Sequence, residues 1–336
     1  MSTGAFDFFD DNIFKVIYSF HMPLFMLLSG YVSYWGSNKR LVDIILRRLR
    51  GIGIPLLVWG TFDYVVHGIS SNNLVFSIGN WFHSVIAIWF LWAVLCASIL
   101  VSVIHKFQIR SFAKYLIMIL SVVFWVKISE GTMIGFVYPY FVIGYAMNEF
   151  KLLENATYKK MIQPICGVIW IALLAFYKKI HFIYISGMTW KIQEVGLLGQ
   201  ITIDIYRYLI GLVGCIAAIA VMKWLFCVGS QKKIDFSIIE RFGQHTLEIY
   251  ILQRIILERC LTKIYVRVVG CMPQNIFARN QLVYDLCFTL LCALIIGTFV
   301  LKISEIISGL PHLSACLFGK GRFEFYKSNE RKSLDT

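Results

Sequence analysis

The chain has 336 residues, of which 58% are hydrophobic, 16% aromatic and only 15% charged, with a mean hydropathy of +0.71. Soluble domains carry about 25% charged and about 45–50% apolar residues, so this balance excludes an ordinary cytosolic enzyme or a disordered chain and makes lipid the expected solvent. The 32 basic against 19 acidic side chains leave a formal charge of +13, but the positive residues sit in short runs between apolar stretches with no zinc-finger or RNA-binding pattern, so nucleic acid is not an expected partner.

A helix needs about 20 mainly apolar residues to cross the hydrocarbon, and alternating barrel strands are absent from this sequence. Nine windows meet or approach that requirement: 16–35, 51–69, 82–104, 112–128, 132–147, 161–177, 206–228, 246–265 and 282–303. The expected fold class is all-α, a polytopic transmembrane helical bundle of about nine spanning helices. The fourth, fifth and sixth windows are short or interrupted, so a merged or re-entrant pair there would change the count. Residues 1–15 are acidic around a single lysine, Lys15, and carry no cleavable signal.

The first window contains Ser19-Phe20-His21-Met22-Pro23 and, further on, Ser29-Gly30. Pro23 removes one helical hydrogen bond and clashes with the carbonyl of Ser19, freeing polar backbone beside His21. An ionisable ring at membrane depth is a functional hypothesis; the competing reading is that His21 only hydrogen-bonds the loosened backbone. The connection that follows carries Lys39, Arg40, Arg47, Arg48 and Arg50 against Asp43, whereas the next, 70–80, has no charge. The first connection is therefore expected inside, with the N-terminus outside and the C-terminus cytoplasmic, and inner connections then hold roughly twice the basic residues of outer ones. Arg207 is left over near a helix end.

On a helix Arg47 and Arg50 face one way, with Asp43 placed to pair with Arg47. Such a fork of guanidiniums at the inner membrane edge suits a polyphosphate, the alternative being an ordinary positive-inside anchor. Gly51 and Gly53 make no dinucleotide fingerprint.

Gly131 and Gly135 form a GxxxG that implies close helix packing. The stretch from Gly243 to Arg254 puts His245 and Glu248 three apart, and likewise Tyr250 and Gln253, on an otherwise apolar helix; the competing reading is helix-to-helix hydrogen bonding. Arg254, Arg259, Lys263, Arg267 and Arg279 make the next connection basic although it is expected outside, which marks either an interfacial segment facing an anionic substrate or a count that slips by one. His67, His83, His105, His181 and His312 are expected at the interface. The nine cysteines show no CxxC and read as buried thiols, and no metal set, HExxH, GxSxG or Walker loop is present. Residues 1–310 are expected to form the membrane domain and 311–336 a charged cytoplasmic tail.

Taken together, SFHMPLFMLLSGY (19–31), RRLRGIGIP (47–55), WFLWAVL (89–95), YPYFVIGYAM (138–147) and GQHTLEIYILQ (243–253) resemble acyltransferase family 3, integral membrane proteins that O-acylate sugars of bacterial surface glycans. They occur in the family's order and cover nearly the whole chain. The resemblance implies transfer of an acetyl group from acetyl-CoA to a sugar hydroxyl of a surface polysaccharide or lipid-linked glycan, in the inner (plasma) membrane, with membrane lipid, acyl-CoA and the glycan as partners and no metal. Arg47 and Arg50 match the family's RxxR and are implied to hold the donor at the cytoplasmic edge. Ser29 and Gly30 are implied to line the path, and His21 and Tyr250 to face the acceptor. Gln253 stands where the family usually closes this segment with a histidine.

Family members normally begin with a helix bearing an arginine and then the histidine base. This sequence starts after that position and has one window fewer than the family, so the catalytic base is unassigned and His21, on the second family helix, does not inherit the role. Two alternatives accompany the enzyme reading: a truncated, inactive member of the family, and a transporter of glycan precursors. Against the transporter stands the absence of paired broken helices in inverted repeats.

Overall fold

The structure is a computed structural model that describes residues 9, 11–70, 77–107, 109–123, 125, 133–155, 158–253 and 290–319. Among these all regular structure is helical: α1 (Asn12–Tyr34), α2 (Leu41–Arg48) running into a π turn (Leu49–Gly53), α3 (Ile54–Ser70), α4 (Ile78–Ile86), α5 (Trp89–Lys106), α6 (Ser111–Leu120), α7 (Ile134–Glu149), α8 (Gln163–Leu174), the short α9 (Ile183–Ser186), α10 (Ile192–Gln231), α11 (Ser237–Gln244), α12 (Thr246–Gln253), α13 (Leu290–Ser308) and α14 (Pro311–Phe318). Four of them, α1, α5, α10 and α13, are long and apolar enough to cross a membrane by length and composition. The shorter windows fall on α3, α6, α7, α8 and α12, and the far part of 246–265 lies outside the described residues, as do Gly131 and the basic connection from Arg254 to Arg279.

The helices group into two compact bodies, one of Phe9–Arg48 with Ile86–Ile234, the other of Leu49–Val85 with the described residues from Asp235 onward. In the first, α1 starts where Asp11 accepts hydrogen bonds from the amides of Ile13 (2.7 Å) and Phe14 (3.2 Å), which satisfies two otherwise orphaned donors. Its far half crosses α7 at very close range. Gly30 lies on the carbonyl of Phe141 and Gly144 on the carbonyl of Leu27, so a Cβ at either position would collide with opposing backbone. Small residues at such a crossing let helices approach where lipid supplies no hydrophobic drive. Gly30 is thus a buried packing residue at this crossing.

The short, interrupted window 132–147 proves to be the centre of this body. Phe136, Val137, Tyr138, Tyr140, Phe141 and Tyr145 of α7 are all buried. A helix apolar on every side needs neighbours on every side, and α1, α5 and α6 surround it. At its C-terminal end the buried Lys114 ammonium donates to both Glu149 carboxylate oxygens (2.7 and 2.8 Å), tying α6 to α7, and the Tyr115 hydroxyl donates to the same carboxylate.

Helix α10 spans 40 residues, but Gly196 (φ 75°) breaks its first turns, so the continuous helix is 197–231. At 1.5 Å per residue that is about 52 Å, well beyond the ~30 Å hydrocarbon core. The apolar window 206–228 caught only its middle.

In the second body α14 packs on α3. Trp59 Nε1 donates to the Leu317 carbonyl (2.7 Å), Phe318 stacks on the Trp59 ring (centroids 6.3 Å apart), and Gly319 (φ 66°) lies on the Gly51 backbone of the π turn. The first residues of the segment expected to be a charged tail thus form an apolar docked helix with Ser314 and Phe318 buried.

Candidate functional site

In the first body the apolar ends of several helices converge on a polar knot made by α10. Gln200, Asp204 and Arg207 are spaced four and three residues apart and therefore share one helix face. Arg207 is 3% exposed. Its Nε donates to the His181 carbonyl (3.0 Å), its Nη1 to the Gly187 carbonyl (2.7 Å) and to Asp204 Oδ1 (3.1 Å), and its Nη2 to Ser186 Oγ. Gln200 donates to Gly187 O (3.3 Å) and to Asp204 Oδ1 (3.2 Å) and accepts the Lys191 amide (3.0 Å). A buried guanidinium is tolerated because nearly all of its donors are satisfied and a carboxylate offsets its charge. The knot straps the connection 178–191 onto the bundle.

Under that strap is a cavity of about 20 Å³, room for roughly one water. Tyr18, Trp89, Phe136, Tyr177 and Tyr184 give it aromatic walls, and Ser19, His181 and Arg207 contribute polar groups. Its α1 lining, Tyr18, Ser19 and Met22, lies in the half of α1 nearer the end that the charge pattern expects to be outer.

His181, expected as an interfacial side chain, is a wall of this cavity. Its Nδ1 accepts the Lys178 amide (2.8 Å) and its ring lies on that of Tyr206 (centroids 4.2 Å apart). Burial, then the positive charges of Arg207 and Lys178, lower its pKa to about 4, so the ring is neutral at physiological pH. An accepting Nδ1 in a neutral imidazole puts the proton on Nε2, which makes this ring a donor.

His21 has the opposite tautomer. Its Nδ1 is 3.0 Å from the Ile17 carbonyl, which can only accept, so Nδ1 carries the hydrogen and in the neutral ring Nε2 carries a lone pair. The ring packs on Tyr18 (4.7 Å). The carbonyl used belongs to Ile17, four residues back, and is not the Ser19 carbonyl that Pro23 frees. Ser19 is occupied otherwise: its hydroxyl donates to Val16 O (2.7 Å) and accepts Trp170 Nε1 (3.1 Å). Ser29 is half-buried, and its carbonyl accepts the Ser33 hydroxyl (2.7 Å).

That Ser33 hydroxyl also receives Arg48 Nη2 (2.8 Å), so among the arginines of this run Arg48 is the one turned onto α1. Arg47, in the last turn of α2, and Arg50, in the π turn, are exposed. Asp43 does not pair with Arg47. It takes Arg40 Nε (2.8 Å) and Nη2 (3.3 Å) at the exposed start of α2, where the shorter loop-to-helix reach wins and the pair adds little stability. Tyr18 and Ser33 are 15 residues apart on α1, so the cavity end and the arginine end of this body are separated by about 22 Å along the helix.

The remaining predicted residues belong to the second body. His245 sits at the break between α11 and α12, with Nδ1 2.8 Å from Ser304 Oγ and 3.6 Å from Glu248 Oε1. Ser304 and Glu248 are buried, and Arg241 forms an ion pair with Glu305 one residue on. Serine and carboxylate both approach the same ring nitrogen, so this is a clamp between α12 and α13 and not a nucleophile relay, which uses both nitrogens. Tyr250 is half-buried and Gln253 exposed on α12.

Among the described residues the regular structure is all helical and four helices are apolar and long enough to span a bilayer, as in a helical membrane protein, and the acyltransferase family 3 model, described as an acyltransferase domain, matches residues 2–268. The chain belongs to this family and is an acyltransferase by class. It is similar to the nodulation protein NolL of Mesorhizobium japonicum, 25% identical over 267 residues that cover 74% of this chain and 68% of that protein. It is similar also to NolL of Sinorhizobium fredii, 29% identical over 150 residues that cover 39% of this chain and 38% of that protein. No solved structure matches the chain.

Proposed function

We propose that the protein transfers an acetyl group from acetyl-CoA to a sugar hydroxyl of a bacterial surface polysaccharide or lipid-linked glycan, in the inner membrane with its C-terminus cytoplasmic. The family match over residues 2–268 carries this reading. The exposed Arg47 and Arg50, three apart in the chain, suit the phosphates of the donor, since each guanidinium can take two oxygens at once. Arg48, held by Ser33, ties α2 to α1.

The acceptor comes from the opposite end of α1. There the tautomer of His21 leaves Nε2 as a proton acceptor. A general base takes the proton of the sugar hydroxyl, with His21 Nε2 a supporting acceptor that faces the sugar, as the oxygen attacks the thioester carbonyl; the tetrahedral oxyanion collapses, the C–S bond breaks, and the thiolate leaves and recovers the proton, giving the sugar ester and free coenzyme A. Ser29 is a supporting polar group in this scheme, and the family resemblance adds Tyr250 and Gln253 as candidates. The ~22 Å between the two ends of α1 is a distance the donor's flexible arm has to cover, which accounts for phosphate anchoring far from the chemistry.

The test is acetylation of the glycan by membranes containing the full chain, followed with labelled acetyl-CoA and by mass spectrometry of surface polysaccharide with and without the gene. Arg47→Ala and Arg50→Ala should abolish transfer while leaving membrane insertion intact. Normal acetylation by both variants would assign those residues to topology alone, and a wild-type chain that transfers nothing would overturn the reading.

A further inference from the structure

The strapped cavity holds polar groups that the reaction scheme above does not use. Its enclosed space, about 20 Å³, is too small for a sugar ring and matches one water-sized oxygen. Trp89, Tyr18 and Tyr177 form apolar walls around it, the usual setting for a site that fixes a ligand with a few placed polar groups. With Nδ1 spent on the Lys178 amide, the one hydrogen-bonding group the His181 ring can offer is Nε2–H. Arg207 offers almost nothing: its nitrogens are committed to His181 O, Gly187 O, Ser186 Oγ and Asp204, and the carboxylate offsets its charge.

We propose that this cavity is a specificity subsite that takes one hydroxyl of a neutral sugar, with the ring resting on the aromatic rim and His181 Nε2–H donating to the inserted oxygen. The proposal rests on the acyltransferase reading and names its acceptor class. The hydroxyl bound here is a neighbour of the one acylated, because a donor on the attacking oxygen would blunt its nucleophilicity. An acidic sugar gains little from Arg207, the cation in the cavity wall, because Asp204 already offsets its charge. Arg207 and Gln200 are positioning residues that act through the strap.

The two nitrogens of His181 can be separated by substitution. Asparagine places its carboxamide near Nδ1 and preserves the acceptor for Lys178; glutamine reaches toward Nε2 and preserves the donor. Purified full-length protein in nanodiscs is titrated with methyl glucoside, methyl galactoside and methyl glucuronide, with Trp89 fluorescence as the readout and Trp89→Phe as the signal control. A neutral glycoside should bind the wild type, with His181→Gln close to wild type and His181→Asn about tenfold weaker, the loss of one hydrogen bond to a neutral group. A Gln-to-Asn affinity ratio below threefold, a reversed order, no glycoside binding by the wild type, or tighter binding of the glucuronide would each overturn the subsite. Acetyl transfer measured on the same samples keeps the two readings apart: a wild type that acetylates glycan while both variants act equally well refutes the subsite alone, whereas saturable glycoside binding without transfer refutes the acyltransferase reading alone.

Discussion

Replacing Arg207 by leucine should release the 178–191 strap. The substitution strands the Asp204 carboxylate in a largely buried place and removes donors from the His181 carbonyl and the Ser186 hydroxyl. Removing one partner of a buried ion pair costs about 3–5 kcal/mol. The lower half of that range is expected, because Gln200 still donates to Gly187 O and to Asp204. At 1.4 kcal/mol per factor of ten, the strap amides should exchange with solvent about two to three orders of magnitude faster. Hydrogen exchange with mass spectrometry on nanodisc samples reads this directly. Arg207→Lys should fall between wild type and Arg207→Leu, since an ammonium keeps the charge but cannot span acceptors placed for a planar fork. Adding Asp204→Leu to Arg207→Leu should recover more than half the loss, because the stranded charge is its main source. A single variant within about 1 kcal/mol of wild type, or a double variant no better than the single, would refute this account of the knot.

Gly144→Ala should destabilise the first body by about 1–3 kcal/mol, because its Cβ meets the rigid Leu27 carbonyl and forces α1 from α7; an unchanged melting temperature in detergent would remove the close crossing. Trp59→Phe keeps the ring against Phe318 but loses the bond to Leu317 O, so the amides of α14 should exchange about tenfold faster, and unchanged protection would show that the bond contributes nothing. His181, with a folded pKa of about 4 against about 6.5 when unfolded, binds its proton more readily in the unfolded state, so strap stability is full above about pH 6.5 and declines toward pH 4. Ring chemical shifts that titrate with a midpoint near 6.5 would show that His181 stands in water.

Helical class and membrane residence were legible because they rest on composition and window length, which packing does not alter. Helix order was legible for the same reason, but the rank of each helix was not. Window 132–147 looked marginal, yet α7 is central because Gly144 and Gly30 admit the backbone of a neighbour, a pairing visible only when both helices are placed. The arginine run was found, but the division of labour within it was not: Arg48 reaches Ser33, a residue 15 positions earlier, and no local spacing rule links them. The knot had a readable signal that a hydropathy window hid. Gln200, Asp204 and Arg207 form one polar stripe on α10, and starting the span at Tyr206 cut the stripe and left Arg207 without an assignment. His181 was placed correctly in a connection, but its role depends on a backbone amide that composition does not encode.

The contact between Trp59 and the Leu317 carbonyl joins residues 258 positions apart. At roughly 5–20 residues per second of synthesis, α3 and the π turn that precedes it wait on the order of ten to fifty seconds before α14 exists to close over them. The turn that bears Arg50 therefore gains these contacts only after its own helix has left the ribosome, and a bulky fusion placed directly after Gly319 would interfere with that docking.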